Sequence, residues 1–202
     1  MSKRRADSAG RLRIIGGRLR GRLLAYPGDP RTRPMKDRVR EAVFNLLADS
    51  IVGKHAIDLF AGSGALGLEA ISRGASRATL IERHFPTAEL IRQNVVQLGV
   101  EAQVEVIAAD SFFWVRRQWT AGALPVVVFC SPPYDFYVAR LEEMLAMLAS
   151  LTSRSGAEST FVVEADERLD MDQLPQTLKW DVRHYAPAVI AIAHAPGNSS
   201  AQ

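Results

Sequence analysis

From Lys54 onward the chain alternates short apolar runs with segments whose apolar residues recur at helical spacing, and few folds accept such a pattern. "HAIDLF", "RATLIE", "QVEVIAAD", "PVVVFC" and "STFVVEAD" read as strands. Between them stand "GALGLEAISRG", "FPTAELIRQNVVQLG", "SFFWVRRQWTAG" and "FYVARLEEMLAMLASL", which read as helices. Gly74 and Gly99 close the first two helices, and Pro86 sits in the first turn of the second. Strands separated by whole helices form βαβ units, so a parallel sheet covered on both faces is predicted. After the fifth strand the rule changes. "TLKWDVRHY" and "AVIAIAHA" are separated only by Ala186-Pro187, too little chain for a crossover, which makes the last strand antiparallel. The expected fold class is α/β: a Rossmann-like, seven-stranded, mostly parallel sheet.

Ahead of this domain lies a segment of different composition. "RLRIIGGRLRGRLLAYP" holds short alternating runs around Gly16-Gly17 and Gly21, the pattern of a small β-hairpin or meander. A proline-rich loop, Pro27 to Pro34, leads into "KDRVREAVFNLLADSI", a helix with Asp37 near its start, where the macrodipole favours an acid. Residues 1–40 carry thirteen Lys and Arg against three Asp, a net +10, while the other 162 residues carry twelve basic against nineteen acidic side chains, a net −7. Eleven of the thirteen cations are arginine, whose guanidinium fork holds phosphate oxygens in pairs. Such a cationic arm on an anionic body favours a polyanionic partner.

No apolar run approaches the ~20 residues of a membrane span, and the basic start lacks the apolar core of a signal peptide, so a cytoplasmic protein with no membrane partner is expected. The single cysteine, Cys130, excludes an internal disulfide framework and reads as core filler; no metal site is expected. Nothing in the sequence requires more than a monomer.

"DLFAGSGALGLEA" joins the first strand to the first helix through Gly62, Gly64 and Gly67, a turn that lets a ligand approach backbone and helix N-terminus. Many nucleotide-binding domains share such a turn. The acids are more discriminating: Asp58, Glu82 and Asp110 end the first three strands, where doubly wound sheets open their ligand crevice. Glu82 has the spacing to accept from ribose hydroxyls. Three carboxylates suit a cofactor with a cationic centre and an amino-acid end better than a pyrophosphate. Each acid alone is equally readable as a helix or turn cap.

The fourth strand runs into Ser131-Pro132-Pro133-Tyr134, a stiff corner because neither proline has an N–H and both fix φ. "DLFAGSGALGLEA", Glu82 and "SPPY" together resemble class I S-adenosylmethionine-dependent methyltransferases of exocyclic base amines. With "RIIGGRLRGRLL", "TRPMKDRVREAVFNLL" and "AGSGALGLEAISRGA" added, the chain resembles the RsmD-type enzymes over roughly Arg11 to Ile192.

The resemblance implies methyl transfer to the N2 amine of a guanine in small-subunit (16S) ribosomal RNA, with the RNA or an assembling small subunit as partner and S-adenosylmethionine as cofactor. It implies that Ser131 and Pro132 accept hydrogen bonds from the amine while Tyr134 stacks on the base. Asp58, Phe60, Gly62 and Gly64 would line the methionine end, Glu82 the ribose, and Asp110 with Ser111 the adenine. Arg11, Arg18, Arg20 and Arg22 would contact RNA, and Arg33, Arg38 and Arg40 would help close the site over it. The implied organisation is a disordered basic tail over 1–10, an RNA-binding hairpin and helix over 11–50, a methyltransferase domain over 51–195 and a disordered tail over 196–202. Two positions depart from the family pattern: Ser131 stands where Asp or Asn is usual, and Met35 where threonine is usual. A cytosine-N4 or adenine-N6 methyltransferase, and a catalytically silent RNA-binding assembly factor, are the competing readings; a nicotinamide-dependent dehydrogenase leaves "SPPY" unexplained.

Overall fold

The computed structural model describes residues 12–26, 34–120 and 125–197. Seven strands form one sheet: β1 (His55–Asp58), β2 (Arg77–Ile81), β3 (Val104–Ile107), β4 (Val126–Cys130), β5 (Thr160–Ala165), β6 (Trp180–Tyr185) and β7 (Ala188–His194). Their order is β3-β2-β1-β4-β5-β7-β6. The first five run parallel, and β7 is antiparallel to both β5 and β6. The predicted class therefore stands, last strand included. Every residue of β4 and β5 is buried, as the unbroken apolar run of β4 requires and despite Thr160 and Glu164 in β5, whereas the edge strands β3 and β6 are partly exposed.

Helices cover both faces. α1 (Asp37–Leu47), α2 (Ala65–Ser72) and α3 (Phe85–Leu98) share one core with the residues before them, Leu12, Ile14, Leu19 and Leu24 included. α4 (Ser111–Arg117), α5 (Phe136–Ala139) and α6 (Leu141–Arg154) share the other. The segment "FYVARLEEMLAMLASL", read from sequence as one helix, breaks at Arg140, whose φ of −137° and ψ of 31° separate α5 from α6.

The expected hairpin is reduced to a single antiparallel bridge, Arg13 to Leu23. Ile14 N and Leu24 N still bond across it, to the Arg22 and Leu12 carbonyls at 3.0 and 2.9 Å, but other backbone groups of the arm bond to the domain. Ile15 and Gly16 donate to the two carboxylate oxygens of Glu69 at 2.7 Å each, Arg18 N to the Ser72 carbonyl at 2.8 Å, Leu19 N to Ser72 Oγ at 2.9 Å and Ala25 N to Asn94 Oδ1 at 2.8 Å. This explains why all eight residues of α2 are buried: the arm and α1 cover the side that would otherwise face water.

The order reverses between β1 and β4, so the chain leaves these neighbours in opposite directions and opens a crevice beyond their carboxyl ends.

Candidate active site

Asp58, the last residue of β1, is 1 % exposed. Its Oδ2 accepts from Gly67 N at 3.2 Å, while Oδ1 has no partner among the described residues. Burial, with the nearby Glu82 charge adding to it, pushes the Asp58 carboxyl up to about 7. A buried carboxyl with one unmatched oxygen is a site short of a donor or a cation. Beside it the chain turns through Gly62 and Gly64, both at positive φ (52° and 78°), before α2 begins. Glu82 braces this turn: Oε2 accepts from Gly62 N at 2.9 Å and Oε1 from His84 N at 2.7 Å.

Asp110 caps α4 through Oδ1, which accepts from Phe113 N at 3.0 Å, and its Oδ2 lies 3.9 Å from Arg140 Nη1. The Ser111 hydroxyl is turned inward and donates to the Leu59 carbonyl, so it fixes α4 to the end of β1. Between them stands an aromatic cluster of which sequence analysis named only Phe60, missing Phe112 and Phe136. The rings of Phe60, Phe112 and Phe136 lie 6.0 to 6.1 Å apart, edge-on or tilted. The Arg140 guanidinium covers Phe112 at 3.9 Å from the ring centroid, and Arg83 lies 5.6 Å from that of Phe136. Phe136 is visible in "SPPYDFY", two residues beyond Tyr134, yet only the folded α5 brings it to Phe60.

The β4 corner continues the ladder. Cys130 pairs with Val163, and one step further brings Ser131 level with Glu164 of β5. Ser131 Oγ donates to Glu164 Oε2, and Tyr134 OH donates to Glu164 Oε1 at 2.9 Å. Pro132 is buried and Pro133 exposed, and bonds from Phe136 N to the Pro133 carbonyl and from Tyr137 N to the Tyr134 carbonyl turn the corner into α5. Cys130 is core filler: it is 1 % exposed, and burial pushes its thiol up to about 12. Glu164 escaped sequence analysis because the two acids that close "TFVVEAD" look like a strand end, although Asp58 in "HAIDLF" gave the same signal.

The family model described as "Conserved hypothetical protein 95" matches residues 12–192. Ribosomal RNA small subunit methyltransferase D of Escherichia coli strain K12 is 40% identical over 148 residues, 73% of this chain and 72% of that protein. The chain belongs to the RsmD family of methyltransferases. Its Haemophilus influenzae relative of the same name is 36% identical over 143 residues, 70% of this chain and 72% of that protein. The solved structure of Escherichia coli yhhF superposes with a TM-score of 0.77 at 31% identity, covering 94% of this chain and all of that one.

In this RsmD-type chain the arginines singled out in the sequence fall into three groups. Arg11 and Arg33 lie outside the described residues, as do the two tails from 1 to 10 and from 198 to 202. Arg18, Arg20, Arg22 and Arg38 are exposed; Arg18 Nη2 donates to Gln103 Oε1 at 2.5 Å and Arg22 Nη2 to the Gln97 carbonyl at 3.0 Å. These partners flank the amino end of β3, so the arm's turn sits at the amino ends of the strands, opposite the crevice at their carboxyl ends. Arg40 is a correction. It is wholly buried, Nη2 donates to the Arg13 carbonyl at 2.6 Å and to Asp37 Oδ1 at 3.0 Å, and Nε lies 3.9 Å from Glu69 Oε2. It ties α1 and the arm to α2 and has no surface to offer RNA.

Proposed function

We propose that this chain transfers a methyl group from S-adenosylmethionine to the N2 amine of a guanine in small-subunit ribosomal RNA. Membership of the RsmD family supports the class of reaction and the RNA. The observation that carries the chemistry is the Ser131-Pro132-Pro133-Tyr134 corner, held against β1 at the point where the sheet reverses.

The residues fit the cofactor. Asp58 has a buried oxygen in want of a partner, which the ammonium of the methionine end can supply. Glu82 offers carboxylate oxygens at the mouth of the glycine turn for ribose hydroxyls, and Phe60 and Phe112 form an apolar wall beside Asp110 for a flat purine. Asp110 reads adenine through the oxygen that does not cap α4, while Ser111 contributes by fixing that helix. Bound there, S-adenosylmethionine supplies a methyl group made electrophilic by its sulfonium.

A base amine is a poor nucleophile because its lone pair is delocalised into the ring. Ser131 Oγ and the Pro132 carbonyl accept its two hydrogens and draw them out of plane, leaving the lone pair free; the prolines keep these acceptors in place. Tyr134, anchored through its hydroxyl to Glu164, stacks on a base taken out of its helix. The exposed arm arginines neutralise phosphates.

The test is incubation with labelled S-adenosylmethionine and small-subunit RNA or particles, followed by nucleoside mass spectrometry. N2-methylguanosine is the expected product. N4-methylcytidine or N6-methyladenosine would reassign the base, and no incorporation while the cofactor binds would leave an RNA-binding assembly factor.

A further inference from the structure

β5 reads TFVVEA and all six of its residues are buried, yet it carries Glu164, 6 % exposed, one residue from its carboxyl end. Both carboxylate oxygens are spent on the catalytic corner, one on Ser131 and one on Tyr134. Burial pushes this carboxyl above its ordinary range, and among the described residues the counterweights are those two hydroxyls, with no cation offsetting the charge. Keeping an acid so placed is costly, and a neutral residue would fill β5 at less expense.

Its chemistry explains the arrangement. An ionised carboxylate only accepts, so Ser131 and Tyr134 must both donate to it. Ser131 has one hydroxyl hydrogen. Once that is committed to Glu164, Oγ presents only lone pairs to the crevice, and an ambiguous hydroxyl becomes a dedicated acceptor polarised by the negative charge behind it. This answers the departure from the family pattern at position 131, since the carboxylate that serine lacks stands one hydrogen bond away.

We infer that Glu164 is a positioning residue that commits the Ser131 hydroxyl to accept the substrate amine, and that it is the terminal acceptor of the proton the amine sheds. This rests on the methyl-transfer reading above. As the nitrogen lone pair forms its bond to the methyl carbon, the carbon–sulfur electron pair goes to sulfur and the nitrogen gives up one proton. That proton passes to Ser131 Oγ while the Ser131 hydroxyl hydrogen passes to Glu164, which later releases it to water. With Glu164 protonated beforehand, the relay has no acceptor and the Ser131 hydrogen is free to turn toward the amine. The groups facing Glu164 are Ser131 and Tyr134 from the corner and Tyr137 from α5; its cross-strand neighbour on β7, Ile190, is apolar.

Glu164→Gln keeps the shape and removes the charge. In single-turnover assays with saturating RNA and S-adenosylmethionine, the variant is expected to lose about 10²-fold in rate, with unchanged affinity for S-adenosylhomocysteine by calorimetry. The wild-type rate falls as pH drops through the raised Glu164 pKa, and the variant lacks this acid limb. The pair Ser131→Ala and Glu164→Gln is no slower than Ser131→Ala alone, because the two act as one unit. A Glu164→Gln rate equal to wild type, or losses that add, overturns the inference and leaves the methyltransferase reading intact. A wild-type protein that methylates no base overturns both. Independently of activity, the Glu164 carboxyl followed by carbon-13 NMR titrates higher in Ser131→Ala, since the bond that favours its charged form is gone. An unmoved titration overturns the inference even if Glu164→Gln fails to fold.

Discussion

Asp58 ends β1 and Ser131 follows the end of its neighbour β4, but their environments give them different tasks. Asp58 has a folded pKa of about 7 against 3.8 for a free carboxyl, so the folded chain keeps a proton that the unfolded chain gives up. Between about pH 4 and 7 stability therefore falls as pH rises, and the contribution is complete only below that window. Asp58→Asn removes the titration. Without cofactor, its melting temperature should gain on that of wild type as pH rises from 5 to 8, at about 2–4 °C per kcal/mol; a gap that does not change with pH would refute the assignment. The same variant should lose affinity for S-adenosylhomocysteine. Ser131→Ala should do the reverse, binding the ligand normally while turnover falls about 10²-fold, as calorimetry and single-turnover rates would show. Asp58 was legible in the sequence because it closes an apolar run before a glycine turn. The inward bond of Ser111 and the burial of Arg40 were not, because each depends on a partner far along the chain, the Leu59 carbonyl and Glu69 respectively.

Among the elements, α2 is the common support. Its first turn gives Gly67 N to Asp58, its middle gives Glu69 to the arm and Arg40, and its last residue, Ser72, takes the arm's turn. Gly17 makes this docking feasible. Its φ is +73°, and a Cβ there would lie 2.0 Å from the Ser72 carbonyl oxygen, which helix geometry holds in place. Gly17→Ala should cost about 1–3 kcal/mol and abolish hydrogen-exchange protection at the Arg18 and Leu19 amides, both bonded to Ser72. Protection equal to wild type would show that the arm is held elsewhere. The alternation of strands and helices was readable because it is local, set by apolar spacing and by Gly74, Gly99 and Pro86. The arm's docking was not, since beyond the few bonds across itself, such as Ile14 N to the Arg22 carbonyl, its backbone bonds go to Glu69, Ser72 and Asn94, far along the chain. Nor was the break at Arg140, where the side chain packs on Phe112 and bonds to Glu143.

Across the whole molecule, charge and chemistry are separated. The exposed arm arginines at the turn lie by the far end of α2, a helix whose eight residues span about 12 Å, whereas Asp58, Ser131 and Glu164 share the crevice edge. RNA that reaches both must run along the α2 and α3 side. Replacing Arg18, Arg20 and Arg22 with alanine should weaken RNA binding and lower its salt dependence by about one unit of slope per lost phosphate contact, leaving the rate at saturating RNA unchanged. Filter binding over a range of salt concentrations, paired with saturation kinetics, checks this; an unaltered slope would remove the arm from the interface. Among the described residues no helix is long and apolar enough to cross a membrane. The account as a whole depends on donor and base meeting at the point where the sheet reverses. A crystal structure with S-adenosylmethionine tests this most directly: the account predicts the ammonium on Asp58 and the methyl carbon aimed into the space bounded by Ser131, the Pro132 carbonyl and Tyr134, whereas a methyl carbon directed away from that corner would contradict it.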